Sequence, residues 1–171
     1  AKEKGISDGA NPNGTINRAQ MVTMLWRAMG QPAAASGASF ADVPADSYYA
    51  QAVAWAIENG ITAGVGGSKF DPNATCTRAQ AMTMINRVLN RIPEENSDLP
   101  AGMNTWPDCN PGDWFSLAVQ EATNSHEYQM MTDADGNQYE VWTKILPMRD
   151  WEAFEKTWSD ANSAGNPGDV V

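Results

Sequence analysis

The sequence predicts a mainly α protein built from helix-loop-helix repeats, with a β-hairpin in its last third. Three observations carry this. Gly5–Gly30 (GISDGANPNGTINRAQMVTMLWRAMG) and Gly60–Asn90 (GITAGVGGSKFDPNATCTRAQAMTMINRVLN) nearly repeat each other across one gap of about five residues. A second register aligns Phe40–Ala56 (FADVPADSYYAQAVAWA) with Trp106–Ala122 (WPDCNPGDWFSLAVQEA) without a gap. Within these segments apolar residues recur at helical spacing, and the repeat has to be settled first because it fixes the architecture.

In the first register, with Asn11 set against Asp71, the matches include Pro12/Pro72, Thr15/Thr75, Arg18/Arg78, Ala19/Ala79, Gln20/Gln80, Thr23/Thr83, Met24/Met84 and Arg27/Arg87. Upstream, Ala1, Glu3, Gly5 and Ile6 match Ala56, Glu58, Gly60 and Ile61, so the chain is expected to begin inside the first helix of its first repeat. The second register shares Asp42/Asp108, Ala52/Ala118, Val53/Val119 and Ala56/Ala122, and the pair Tyr48-Tyr49 becomes Trp114-Phe115. The expected division is the end of a first repeat at 1–30, a whole second repeat at 40–92, a degenerate third repeat at 106–160, and a tail at 161–171. The Pro-, Gly- and Ser-rich stretches Gly30–Ser39 and Arg91–Thr105 read as connectors.

Each element then follows in order. Asn17 and Thr77 each stand three residues before a Gln (Gln20, Gln80), the capping-box spacing, so helices are expected to start at Arg18 and Arg78. Ala50, Val53, Ala54 and Ile57 predict the first helix of the second repeat, stopped at Asn59-Gly60. The following loop has glycines for tight turns and Phe70 as an apolar plug returning to the core. Ala81, Met84, Ile85, Val88 and Leu89 are the expected buried face of the second helix. In the third repeat, Tyr128–Thr132 and Gln138–Thr143 flank Asp135-Gly136 and predict a hairpin. A helix is expected from Asp150, with Trp151, Phe154 and Trp158 at near-helical spacing. Hairpin and helix together are expected to take the place of the missing half-repeat in the core, the alternative being a modified groove or a new recognition surface.

A chain of 171 residues holds one ordinary domain or a few small units sharing a core. The net charge of −10 argues against a general nucleic-acid surface, which needs clustered Lys and Arg. No apolar run approaches membrane-spanning length and no leader pattern is visible, so the sequence reads as a soluble fragment whose export could be encoded upstream. Cys76 and Cys109 align with Ile16 and Val43, which predicts buried, unreactive thiols, with a disulfide between them left open.

The repeated arginine is the most pointed signal. Arg18 and Arg78 occupy the first helical position, where the helix dipole disfavours a cation. Free N–H groups, the dipole and a guanidinium make a site for carboxylate or phosphate. Alternatively, each Arg pairs with a protein carboxylate such as Asp42 or Asp71 and ties neighbouring units together.

The sequence FADV…YYAQAVAWAIENGITAG…FDPNATCTRAQAMTMINRVL resembles an S-layer homology (SLH) module, and INRAQMVTMLWRAMG resembles the end of another. The likeness covers nearly all of residues 1–92 and, more weakly, 106 to about 125. It implies a pseudo-threefold helical bundle in which several units bury what one cannot bury alone. It also implies noncovalent anchoring of an exported bacterial protein, at the cell wall or S-layer, to an anionic, pyruvylated secondary cell-wall polysaccharide bound in grooves between units. The family's Thr-Arg-Ala-Glu motif reads Asn17-Arg18-Ala19-Gln20 and Thr77-Arg78-Ala79-Gln80, with Gln for Glu in both. Arg18, Arg78, Gln20 and Gln80, with Gly66, Gly67 and Lys69 of the loop, are the candidate ligand contacts. The first repeat lacks about five loop residues and any counterpart of Phe70, and the third has no Thr-Arg-Ala motif.

Other signals are weaker. Asp133-x-Asp135-Gly136 resembles a fragment of a calcium loop without its further ligands. His126, the single histidine, reads as structural, and Glu121 and Glu127 as a solvated helix end. Trp26 or Trp55 could stack on sugars if exposed. No catalytic residues, metal or cofactor are predicted; the competing reading is a surface-assembly scaffold that binds protein partners without glycan.

Overall fold

A computed structural model describes residues 2, 4–11, 13–37 and 40–162, with side chains given through residue 157. Five helices and one two-stranded antiparallel sheet are found among the described residues: α1 (Arg18–Ala28), α2 (Ala50–Glu58), α3 (Arg78–Leu89), α4 (Ser116–Thr123), β1 (His126–Thr132), β2 (Gln138–Ile145) and α5 (Trp151–Asn162). The connector before α4 holds only a short 3₁₀ turn, Asn96–Asp98.

Both predicted capping boxes form. The Asn17 side chain accepts from Gln20 N at 2.8 Å while Gln20 Oε1 accepts from Asn17 N at 2.9 Å. Thr77 and Gln80 do the same at 3.2 and 3.0 Å. Two orphan N–H groups are thereby satisfied at each helix start, which fixes where α1 and α3 begin. Helix α2 stops at Asn59, and Gly60 follows with φ +65°, a left-handed turn that a side chain would strain.

The two repeats are joined at these helix starts. Arg18 N donates to Ala74 O and Ala19 N to Pro72 O, both at 3.0 Å, and Cys76 N donates to Ile16 O at 2.9 Å. Helix α1 packs on α2, and the arrangement recurs as α3 on α4. The core between them centres on Val22, Val53, Ile61, Met84 and Phe70, whose ring is fully buried as the predicted plug. Burying such a side chain stabilises by about 1.5–3 kcal/mol. Cys76 and Cys109 are buried free thiols whose pKa values burial pushes up, so both stay protonated and inert.

In the third repeat β1 pairs with β2 from His126↔Ile145 to Thr132↔Gln138, with a bulge at Glu127/Tyr128. The calcium-like Asp133 is committed to the turn: its Oδ1 accepts from Asp135 N and Asn137 N, each at 2.8 Å. Helix α5 begins one residue after Asp150, whose carboxylate accepts Ala153 N at 2.9 Å as a cap.

Residues 4–6 turn as their counterparts 59–61 do after α2, and of the expected helix end at residues 1–3 only residue 2 is described, in a turn. Other expectations need correction. On α3, Met84 is buried but Ile85 and Leu89 are exposed (40% and 61%), because α3 turns Asn86 toward α4, with its Nδ2 donating to Ala118 O at 2.8 Å. Trp55 is buried and Trp26 half-buried with its indole N–H on Pro32 O, so neither offers an open face. Glu121 is not solvated: the hairpin folds over the end of α4 and buries it. Hairpin and α5 also replace the missing half-repeat only in part. Glu140 and Trp142 of β2 are buried, whereas Trp151 and Phe154 of α5 remain exposed. The Trp158 side chain and the tail from residue 163 lie outside what the structure describes.

Candidate ligand grooves

Arg18 is 6% exposed, and its guanidinium donates to Phe70 O through Nε at 3.0 Å and to Ala63 O through Nη2 at 2.9 Å. Its Cζ lies 4.6 Å from the centre of the Phe70 ring. Arg18 therefore ties repeat one to repeat two through carbonyls rather than through a carboxylate. Asp42 serves the other side of the same loop, accepting Phe70 N at 2.9 Å and Asp71 N at 2.8 Å. Those N–H groups, that of Phe70 above all, hold the Asp42 carboxyl below its usual range. Arg78 is exposed, with no hydrogen bond or ion pair among the described residues. Gly66 and Gly67, both at positive φ, and Lys69 form an exposed turn closed by Lys69 N on Gly66 O; they line neither of the duplicated grooves that follow.

Two grooves repeat the same set of lining residues at matched positions, although the first is more than twice the volume of the second. The first, about 560 Å³, is lined by Gln20, Thr23, Met24, Arg27 and Tyr48 together with Ile6–Asn11 and Gly14–Ile16. The second, about 240 Å³, is lined by Gln80, Thr83, Met84, Arg87 and Trp114 together with Thr62, Ala63 and Arg18. On each helix the four lining residues stand at i, i+3, i+4 and i+7, one stripe of a single face. In each groove the arginine is steadied by the same turn: Arg27 Nη1 on Ile6 O at 3.5 Å and Arg87 Nη1 on Ile61 O at 3.3 Å. The aromatic wall is held edge-on by its neighbour, Tyr48 on Tyr49 (5.0 Å) and Trp114 on Phe115 (5.4 Å), which leaves Tyr48 59% and Trp114 69% exposed.

An open π-face, a guanidinium with spare donors and a side-chain amide N–H form a set suited to a sugar ring bearing an anionic group. Gln20 and Gln80 belong to it, since capping uses only their Oε1. Arg27, Arg87, Tyr48 and Trp114 are the residues that sequence reasoning passed over. Their signal was present: the stripe Gln-Thr-Met-Arg is identical in both repeats, and the aromatic pair keeps its register.

A buried polar cluster lies apart from the grooves. His126 Nε2 is 3.2 Å from Glu121 Oε2 and 3.5 Å from Glu140 Oε2, Arg91 Nη2 is 3.0 Å from Glu121 Oε1, and Arg91 Nε pairs with Glu140 Oε1. Trp142 stacks on His126 at 3.9 Å and donates its N–H to Glu121 at 3.0 Å. Burial opposes charge on His126, but hydrogen bonds to Glu121 and the Asn124 carbonyl, with the two carboxylate charges, raise its pKa. Burial first, then the Glu121 charge, raises that of Glu140. Among the described residues, Glu121, His126 and Glu140 are the group close enough to hold a metal ion. Arg91 already supplies a cation between them, and the cluster fastens the hairpin to α4.

The model of the S-layer homology domain matches residues 39–82. Residues 39–82 are thus similar to an S-layer homology domain. It is 39% identical over 75 residues to the surface-layer 125 kDa protein of Lysinibacillus sphaericus, an alignment covering 44% of this chain and 6% of that protein. It is 33% identical over 105 residues to an S-layer protein of Bacillus thuringiensis subsp. finitimus, covering 60% of the chain and 12% of the relative. A further match, 32% over 95 residues, covers 8% of endo-1,4-beta-xylanase A of Thermoanaerobacterium saccharolyticum. The chain thus spans a small part of each of these relatives. The S-layer homology domain and the surface-layer relatives indicate an extracellular, cell-wall-associated location and support cell-surface anchoring in general. No described helix is long and apolar enough to cross a membrane.

Proposed function

We propose that the chain anchors a cell-surface protein noncovalently by binding an anionic, pyruvylated wall polysaccharide in the two equivalent grooves. The observation that carries the proposal is the duplication itself: Gln, Thr, Met, Arg and an exposed aromatic recur at matched positions around an open cleft. Core residues also recur in a repeat protein, but packing of the core does not account for an aromatic ring that recurs exposed. Tyr48 and Trp114 are the sugar platforms, Arg27 and Arg87 the anion contacts, and Gln20 and Gln80 the amide donors. Arg18 acts behind the second groove by fixing the Ala63–Phe70 loop. The α1–α2 contact recurring as α3–α4 supports a pseudo-threefold plan with an incomplete third unit. The chain has no catalytic part in this reading, and nucleic acid is not a partner of so acidic a surface.

The test is co-sedimentation of the purified chain with bacterial walls before and after extraction of the secondary polymer. Polymer-dependent binding that falls in Arg87→Ala and Trp114→Ala, with folding kept, supports the proposal. Binding that survives extraction of the polymer would remove it.

A further inference from the structure

We infer that the open cleft at Arg78 is a vacated loop socket that docks a Phe-Asp-Pro loop from a partner protein carrying a repeat of this kind. The cleft, about 380 Å³, is lined by Arg78, Ala79 and Met82 on one side and by Trp106, Asp108 and Phe115 on the other, with Val119 at its floor. In the repeat registers these positions are Arg18, Ala19 and Val22, then Phe40, Asp42 and Tyr49, with Val53. Of these, Arg18, Phe40 and Asp42 meet Phe70 directly, and Val22 and Val53 belong to the core cluster that holds its fully buried ring, with Tyr49 packed against it. The local backbone is the same in both places: Val43 N bonds Phe40 O at 3.2 Å, and Cys109 N bonds Trp106 O at 3.1 Å.

What differs is the occupant. In the second repeat the loop supplies a ring at 5.8 Å from Phe40, two carbonyls for Arg18, two N–H groups for Asp42, and the Pro72 and Ala74 carbonyls for the first N–H groups of α1. The third repeat has no such loop, because its chain leaves α4 into the hairpin, and no hairpin residue lines the cleft. Arg78, the N–H groups of Arg78 and Ala79, and the Asp108 carboxylate therefore have no hydrogen-bond partner among the described residues. The unmet groups stand where a Phe-x-Pro loop would meet them: a guanidinium for its carbonyls, a carboxylate for its N–H groups and an aromatic-walled slot for its ring. This is loop complementation, in which a partner completes a unit whose own loop is missing. It uses a cleft separate from the two glycan grooves and does not depend on them.

The probe is a capped peptide with the sequence of residues 66–75 (GGSKFDPNAT), titrated into the isotope-labelled chain. Saturable shifts are expected at the Ala79 amide and at the Trp106 indole N–H, which borders the cleft on Thr123 Oγ1. The dissociation constant should rise at least tenfold when the peptide Phe is replaced by Ala, and likewise for the Asp108→Asn and Arg78→Ala proteins. Unchanged near-ultraviolet dichroism separates lost docking from lost folding. No saturable shift at these residues, or equal binding by all variants, would overturn the inference. So would filling of the cleft by a second copy, seen as concentration-dependent dimerisation, or by wall polymer shifting the same resonances.

Discussion

Arg18 and Arg78 occupy the same position of the same motif, yet the structure assigns them opposite energetic weight. Replacing Arg18 by Ala removes two hydrogen bonds from a charged donor, leaves Phe70 O and Ala63 O without that partner, and strips a cation from the Phe70 face. Leaving buried acceptors unsatisfied costs about 1–3 kcal/mol each, and a desolvated cation–π contact contributes about 0.5–2 kcal/mol. Because Ala63 is exposed and water can replace part of that bond, the expected loss is about 3–5 kcal/mol, a large part of the ~5–15 kcal/mol typical of a folded domain. Arg78→Ala removes an exposed side chain and should stay within about 0.5 kcal/mol of the parent. Urea denaturation followed by tryptophan fluorescence measures both. Equal losses in the two variants would refute the assignment of Arg18 to the inter-repeat joint and of Arg78 to an open cleft.

Other consequences follow from the same contacts. Phe70→Ala should cost about 3–5 kcal/mol by urea denaturation, since its buried ring has no way to be replaced by collapse of a cap-anchored loop. Asn17→Ala should cost about 1 kcal/mol through the lost cap of α1. The cluster of Arg91, Glu121, Glu140 and His126 makes hairpin docking pH-dependent. With its folded pKa raised above the ordinary 6.5, His126 contributes stability that is fully present below that value and lost as pH rises through the folded pKa. The raised pKa of Glu140 adds loss in the same direction, beginning above its ordinary 4.5. Glu121 is held low, burial being outweighed by His126, Glu140 and Arg91, so its share is lost as pH falls below 4.5. An NMR titration of the His126 ring should place its midpoint above 6.5; a midpoint at or below that value contradicts the network.

The sequence carried the helix starts, the α2 stop, the Phe70 plug and the hairpin because each rests on local chemistry: a side chain three residues from a Gln, a Gly after a helix, an apolar residue inside a polar loop. The exposed Ile85 and Leu89 could not be read the same way. Helical periodicity names an apolar stripe, but which stripe is covered depends on where α4 sits, a nonlocal fact. Glu121 looked like a solvated helix end for the same reason, since only the folded hairpin buries it. At the site, attention to the dipole at the helix start led to Arg18, whose guanidinium is consumed by Phe70 O and Ala63 O. The conserved spacing within the chain itself, Gln20-Thr23-Met24-Arg27 repeated as Gln80-Thr83-Met84-Arg87, marked the groove face. Reading it required asking which repeated residues a core does not need.

The most direct measurement is a calorimetric titration of soluble pyruvylated wall polymer into the parent chain, Trp114→Ala, Tyr48→Ala and the double variant. The account predicts two sites of similar affinity in the parent, one in each single variant and no measurable heat in the double variant, with thermal unfolding unchanged. Undiminished binding by the double variant would contradict it and place the anchor outside the two grooves.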